Sequence, residues 1–137
     1  MFDILNAQVA AQAAALSALS ARNVFPLWAE ENGPLSANAY EWSWGNGSVG
    51  STIGGVVPVA CELIYSTFNS EVFGNSIGIQ IERNGSTVAT PVFNQNNSVV
   101  TVAAPIAFAA GDRASFRTGT LNGGFSDARI FTWFRPT

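Results

Sequence analysis

The stretch Ile77-Gly78-Ile79-Gln80-Ile81-Glu82-Arg83-Asn84-Gly85-Ser86-Thr87-Val88-Ala89-Thr90-Pro91-Val92-Phe93 decides the fold. Ile77, Ile79 and Ile81 alternate with Gly78, Gln80 and Glu82, the period-2 pattern of a half-buried strand. Asn84-Gly85 supplies the two residues a type I′ turn asks for, and Thr87 to Phe93 carries the chain back. A β-hairpin is expected here. The same alternation recurs on both sides. Upstream, Tyr40, Trp42 and Trp44 alternate with Ala39, Glu41 and Ser43 until Gly45-Asn46-Gly47 ends the run. Cys61, Leu63, Tyr65 and Thr67 form a second set, opposed by Ala60, Glu62, Ile64 and Phe68. Downstream, Val99, Thr101 and Ala103 predict a strand, and Phe108-Ala109-Ala110-Gly111-Asp112 leads into another over Ala114 to Thr118. In the last run, Ala128 to Phe134, Ile130, Thr132 and Phe134 share one face while Phe131 and Trp133 share the other. Aromatics on both faces imply that both are covered, one by a core and one by a neighbouring subunit. Seven or eight short strands punctuated by Gly, Asn and Pro read as an antiparallel sandwich or jelly roll over residues 26–137.

The N-terminal residues follow a different period. Phe2, Leu5, Val9, Gln12, Leu16 and Leu19 recur at alternating spacings of three and four, an a/d heptad seam that Pro26 ends. Residues 1–25 are therefore expected to form a helical coiled-coil stem for oligomerisation and attachment. The fold class expected is mainly β: an α-helical coiled-coil stem followed by an antiparallel β-sandwich, jelly-roll-like head, assembled as a trimer. The seam itself fits two strands as well as three. The competing reading of the same pattern is an amphipathic helix packed on its own head or on another protein.

Composition narrows the function. Of 137 residues only 11% are charged and 47% are hydrophobic, against about a quarter charged in an average domain, which points to surface covered by partner subunits. The six cations are all Arg and face nine carboxylates, so no basic stripe exists to displace counterions from nucleic acid or to hold an anionic membrane. The N-terminus lacks the positive n-region and uninterrupted apolar run of a signal peptide, and no segment has the roughly 20 apolar residues of a membrane span. Synthesis in the cytoplasm is expected.

Catalysis has little to work with. With no His and no Lys, the commonest general base, the Ser-His-Asp and Cys-His arrangements and lysine-based covalent chemistry are all missing. A glycosidase could still use two carboxylates. The candidates are Glu30, Glu31, Glu41, Glu62, Glu71, Glu82, Asp112 and Asp127, and none sits in a recognisable motif. No calcium loop or phosphate loop occurs. Cys61 is alone, which leaves neither an internal disulfide nor a zinc site of usual composition. Asp112 reads as a turn residue accepting backbone N–H bonds. No catalytic residue, metal or cofactor is expected.

What remains is surface recognition. The expected loops, over 45–52, 69–76, 94–98 and 118–126, are rich in Asn, Ser, Thr and Gly. Asn69, Phe73, Asn75, Asn96, Asn97, Asn122 and Phe125 are the candidate recognition residues. Tyr40, Trp42, Trp44, Phe131 and Trp133 are the candidates for contact between heads.

Two stretches carry a resemblance to known families. Pro26-Leu27-Trp28-Ala29-Glu30-Glu31-Asn32-Gly33, followed by Tyr40-Glu41-Trp42-Ser43-Trp44-Gly45-Asn46-Gly47, resembles short fibre or appendage proteins of tailed bacteriophages, which place a coiled-coil stem before a β-sandwich head. The lead-in Phe108 to Phe116 is similar to the Gly-Asp turn of tumour-necrosis-factor-like jelly rolls, which form trimers by packing aromatic faces around a threefold axis. The resemblance implies a homotrimeric, non-enzymatic virion protein made in the host cytoplasm without a signal peptide. Its stem would dock on another virion protein and its head would meet a host-surface glycan or protein. A capsid decoration or head-fibre protein that binds the shell is the rival within the same class. A carbohydrate-active enzyme with two carboxylates is the rival outside it.

Overall fold

The computed structural model of the chain describes residues 4–12, 23–42 and 54–137. Its strands are β1 (Phe25–Pro34), β2 (Gly55–Val56), β3 (Cys61–Val72), β4 (Ser76–Arg83), β5 (Ser86–Ala89), β6 (Val92–Phe93), β7 (Val99–Phe108), β8 (Arg113–Asn122) and β9 (Ser126–Pro136). One sheet runs β1-β9-β3-β7, the other β2-β8-β4-β5 with β6 also on β4. Pairs β1·β9, β2·β8, β3·β7 and β4·β5 nest inside one another, all antiparallel. A long hairpin rolled up in this way is a jelly roll.

The hairpin expected from the Ile77–Ile81 alternation and Asn84-Gly85 is β4–β5. Ile77, Ile79 and Ile81 are fully buried. Asn84 and Gly85 take φ of 51° and 87°, the left-handed pair the type I′ turn requires. These isoleucines meet Leu27 and Ala29 of β1, Leu63 and Phe68 of β3, and Ile130 and Phe134 of β9 in a single core cluster. Phe68 stacks on Phe93 across the sandwich at 5.3 Å, and Phe108 meets Phe134 edge-on at 5.1 Å. Such aromatic pairs add about 0.5–1.5 kcal/mol each beyond their area burial.

Three expectations are corrected. Among the described residues there is no coiled-coil stem. The described N-terminal residues form a short helix over 4–12 whose side chains are all exposed, including Leu5, Val9 and Gln12. A heptad seam holds only against a facing helix, and among the described residues none faces residues 4–12. Phe2, Leu16 and Leu19 lie outside the described residues. The chain is already in β1 at Phe25, so Pro26 ends no helix; it sits in an edge strand, where its missing N–H costs nothing.

The Tyr40–Trp44 alternation is not a strand where it is described. Residues 39–42 form an extended segment that pairs only locally with β8, Thr118 N–H donating to the Ala39 carbonyl at 2.9 Å. Trp42, expected between heads, is fully buried instead, and Trp44 lies outside the described residues.

In β3 the alternation changes phase. A register shift between Leu63 and Tyr65 lets Cys61 and Leu63 point inward, then Ser66 and Phe68, which turns Tyr65 and Thr67 to the outer face. An extra residue in one strand exchanges inside for outside along everything that follows it.

Candidate functional site

The outer face of the first sheet carries a ladder of rings. Along β9, Ile130, Thr132 and Phe134 are buried while Phe131 and Trp133 between them point the other way. The register sets Trp28 of β1 opposite Phe131, and Tyr65 of β3 opposite Trp133. The rings follow one another: Trp28 on Phe131 at 6.2 Å, Phe131 on Trp133 at 6.3 Å, Trp133 on Tyr65 at 5.7 Å. Their planes differ by only 20–23°. Phe131 and Trp133 were legible from sequence. Trp28 and Tyr65 were not, because only cross-strand register and the β3 shift bring them to this face.

Charge at the ladder is cancelled locally. Arg129 pairs with Glu30 across β9 and β1, its Nε donating at 2.8 Å, and Arg135 pairs with Glu62 of β3, its Nε donating at 3.1 Å. Both pairs are partly exposed, so each adds little to stability. Their effect is to leave the aromatic strip flanked by neutralised groups.

The edge of the same sheet is also uncovered. β7 contains no charged residue, and Val99, Thr101, Ala103, Ala104, Pro105 and Ala107 are all exposed. A long, uncharged edge strand is a template for association unless something covers it. Beside it an apolar cavity of about 160 Å³ opens between the sheets, lined among others by Leu63, Ile81, Val100 and Val102.

The candidate recognition residues separate into two groups. Asn75, Asn96 and Asn97 line one cleft with Gly74, Asn94 and Gln95. Around its base, Phe73 packs on Phe68 and Phe125, and the Asn122 carbonyl accepts the Asn75 N–H at 2.8 Å. Phe125 is buried and holds this end together rather than facing a ligand. Asn69 lines a different cleft with Glu30, Glu31, Glu71, Asp127 and Arg129. This second cleft is where a two-carboxylate mechanism would have to work. Two of its four acids have other duties: Glu30 holds Arg129, and Asp127 Oδ1 accepts the Gly33 N–H at 2.8 Å. Among the described residues no cluster of three or more His, Cys, Asp or Glu could hold a metal ion.

On the second sheet, Tyr40 donates its hydroxyl to Glu82 at 2.5 Å while Arg117 lies 5.0 Å above its ring. Glu82 is only 3% exposed. The bond to Glu82, first, and burial, second, push the Tyr40 phenol above its usual value. Asp112 closes the turn before β8, taking the Asn84 amide on Oδ1 at 2.9 Å and the Ala109 N–H on Oδ2 at 2.8 Å. These bonds hold its carboxyl below the usual range. Burial, first, and the Asp112 charge, second, push the buried Cys61 thiol above its usual value.

No protein-family model matches the chain, and no curated protein shows significant similarity to it.

Proposed function

We propose that this chain is a non-enzymatic structural head, a homotrimeric subunit of a bacteriophage fibre or appendage that recognises a host surface. The observation that carries the reading is the ladder Trp28–Phe131–Trp133–Tyr65 on an outer sheet face. Four part-buried rings in one contiguous strip suit close packing against an apolar protein surface. The chain carries a matching surface, the uncharged β7 edge. A face that receives a different patch of the next copy is a heterologous contact, and such contacts close into a ring when the rotation between copies closes. The number three rests on the resemblance to trimeric jelly rolls. The exposed Ile4, Leu5 and Val9 of the N-terminal helix are the surface offered for attachment to the particle.

Recognition by three weak sites depends on their being linked. The test is adsorption of the labelled chain to bacterial cells, wild type against Trp133→Ala, at equal chain concentration. The expected result is loss of most adsorption when assembly is lost. Equal adsorption by a folded, dissociated variant would overturn the reading. Saturable binding to phage capsids that lack the chain, with none to cells, would move it to capsid decoration.

A further inference from the structure

We propose that the cleft between the β3–β4 loop and the turn at residues 94–97 is a binding site for an uncharged saccharide. The inference rests on the head being a recognition module, and it adds the site and the ligand class.

The cleft has a volume of about 430 Å³, within the roughly 300–1,000 Å³ of small-molecule sites. Its lining is Gly74, Asn75, Asn94, Gln95, Asn96 and Asn97, five amide side chains and no charge. Two of these amides build the walls. Asn94 Oδ1 accepts the Asn96 N–H at 2.9 Å, and Gln95 Nε2 donates to the Phe73 carbonyl at 3.3 Å, tying the turn to the opposite loop. Asn94 and Asn97 exchange backbone hydrogen bonds of 3.1 and 3.0 Å, which fixes the turn. The floor is equally constrained, since a Cβ on Gly74 would stand 2.8 Å from the Gly123 carbonyl carbon and from Phe125.

The remaining amides, Asn75, Asn96 and Asn97, are exposed, and their side chains make no hydrogen bond to another described residue. Each offers two N–H donors and a carbonyl acceptor. Adjacent sugar hydroxyls, each both donor and acceptor, are the groups that satisfy such a set in pairs. A phosphate, sulfate or carboxylate would look for Arg or Lys, and none lines the cleft. The acidic cleft holding Asn69 differs on this point, with Glu30, Glu31, Glu71 and Asp127 against one Arg129. An open, polar site of this kind binds weakly by itself, and presentation in several copies makes up the deficit.

The experiment uses the full chain, ¹⁵N-labelled, titrated with maltohexaose, cellohexaose, laminarihexaose and mannan- and rhamnan-derived oligosaccharides, with sialyllactose and oligogalacturonate as anionic probes. Side-chain amide spectra report the site, light scattering on the same samples reports the mass, and a thermal melt reports folding. The expected result is that a neutral saccharide shifts the Asn75, Asn96 and Asn97 amide signals and the anionic probes do not. Asn75→Asp and Asn96→Asp are each expected to weaken that saccharide about tenfold, the value of one lost hydrogen bond. Asn69→Asp is expected to change nothing. The proposal is overturned if no neutral probe moves these amides in the folded chain. It is equally overturned if the shifts fall on the Trp28 and Trp133 indoles, or if the Asp variants bind as well as wild type. A monomeric mass with the cleft shifts intact would sink the assembly reading and leave the site standing.

Discussion

Phe134 and Trp133 are neighbours in β9 that face opposite ways, so truncating each in turn separates folding from assembly. Phe134 is fully buried, stacked on Phe25 at 5.6 Å and meeting Phe108 at 5.1 Å. Phe134→Ala leaves a cavity in the core and is expected to cost about 3–5 kcal/mol of folding. At about 4 °C per kcal/mol for a chain of this size, the melting temperature falls by roughly 12–20 °C. Trp133→Ala removes two ring contacts on the outer face, to Tyr65 and Phe131, worth about 0.5–1.5 kcal/mol each. Its folding loss is therefore smaller. Its effect on assembly is larger, because a central Trp at an interface carries at least about 2 kcal/mol, roughly thirtyfold per contact. Over the three contacts of a closed trimer this multiplies to on the order of 10⁴ in the assembly constant. Circular-dichroism melts at two concentrations, combined with sedimentation equilibrium, read both effects. Wild type is expected to melt at a concentration-dependent temperature, and Trp133→Ala at a concentration-independent one. A Trp133→Ala chain that keeps the wild-type mass at micromolar concentration would refute the argument from the ladder.

Further outcomes follow from individual contacts. Tyr40→Phe strips the buried Glu82 of its hydroxyl donor and is expected to cost about 1.5–3 kcal/mol at neutral pH, read from urea midpoints. Because the fold raises the Tyr40 phenol above its usual value of 10.0, that stability is complete below about pH 10 and lost as pH rises through the native value. Tyr40→Phe should therefore flatten the alkaline limb of stability against pH. Asp112 behaves in the opposite sense: its carboxyl is held down by Asn84 and Ala109, so its contribution is present above about pH 4 and lost as pH falls through the lowered native value. Urea midpoints between pH 6 and pH 2 should show a shallower acid slope for Asp112→Asn. Gly74→Ala forces backbone apart at Gly123 and Gly124 and is expected to destabilise the fold by about 1–3 kcal/mol, seen as a lowered melting temperature.

The parts legible in sequence were those set by neighbouring residues. The Ile77–Ile81 alternation, the Asn84-Gly85 turn and the two-faced β9 all follow from period 2 and local turn chemistry, and the structure has them. The Asp112 turn is of the same kind. Where the reading failed, a non-local term had the deciding vote. The heptad seam read over residues 1–25 has the right spacing, but among the described residues no helix faces residues 4–12, and Phe25 onwards pairs with β9. Trp42 alternates correctly with its neighbours but is drawn into the core. One register shift in β3 moved Tyr65 from the set it shares in sequence with Cys61 and Leu63 to the outer ladder, which no local pattern announces. The ladder's Trp28 is visible only once β1 is known to lie beside β9. Of the recognition residues, Asn75, Asn96 and Asn97 come together because two separate loops end at the same end of the sandwich, while Asn69 falls on a strand face.

The proposed assembly joins the aromatic face to the β7 edge in a closed ring of identical chains. Light scattering on a sizing column, giving the molar mass of the full chain at micromolar concentration, tests it most directly. The expected mass is three times the 14.4 kDa of one chain. A monomeric mass that persists as concentration rises would contradict it.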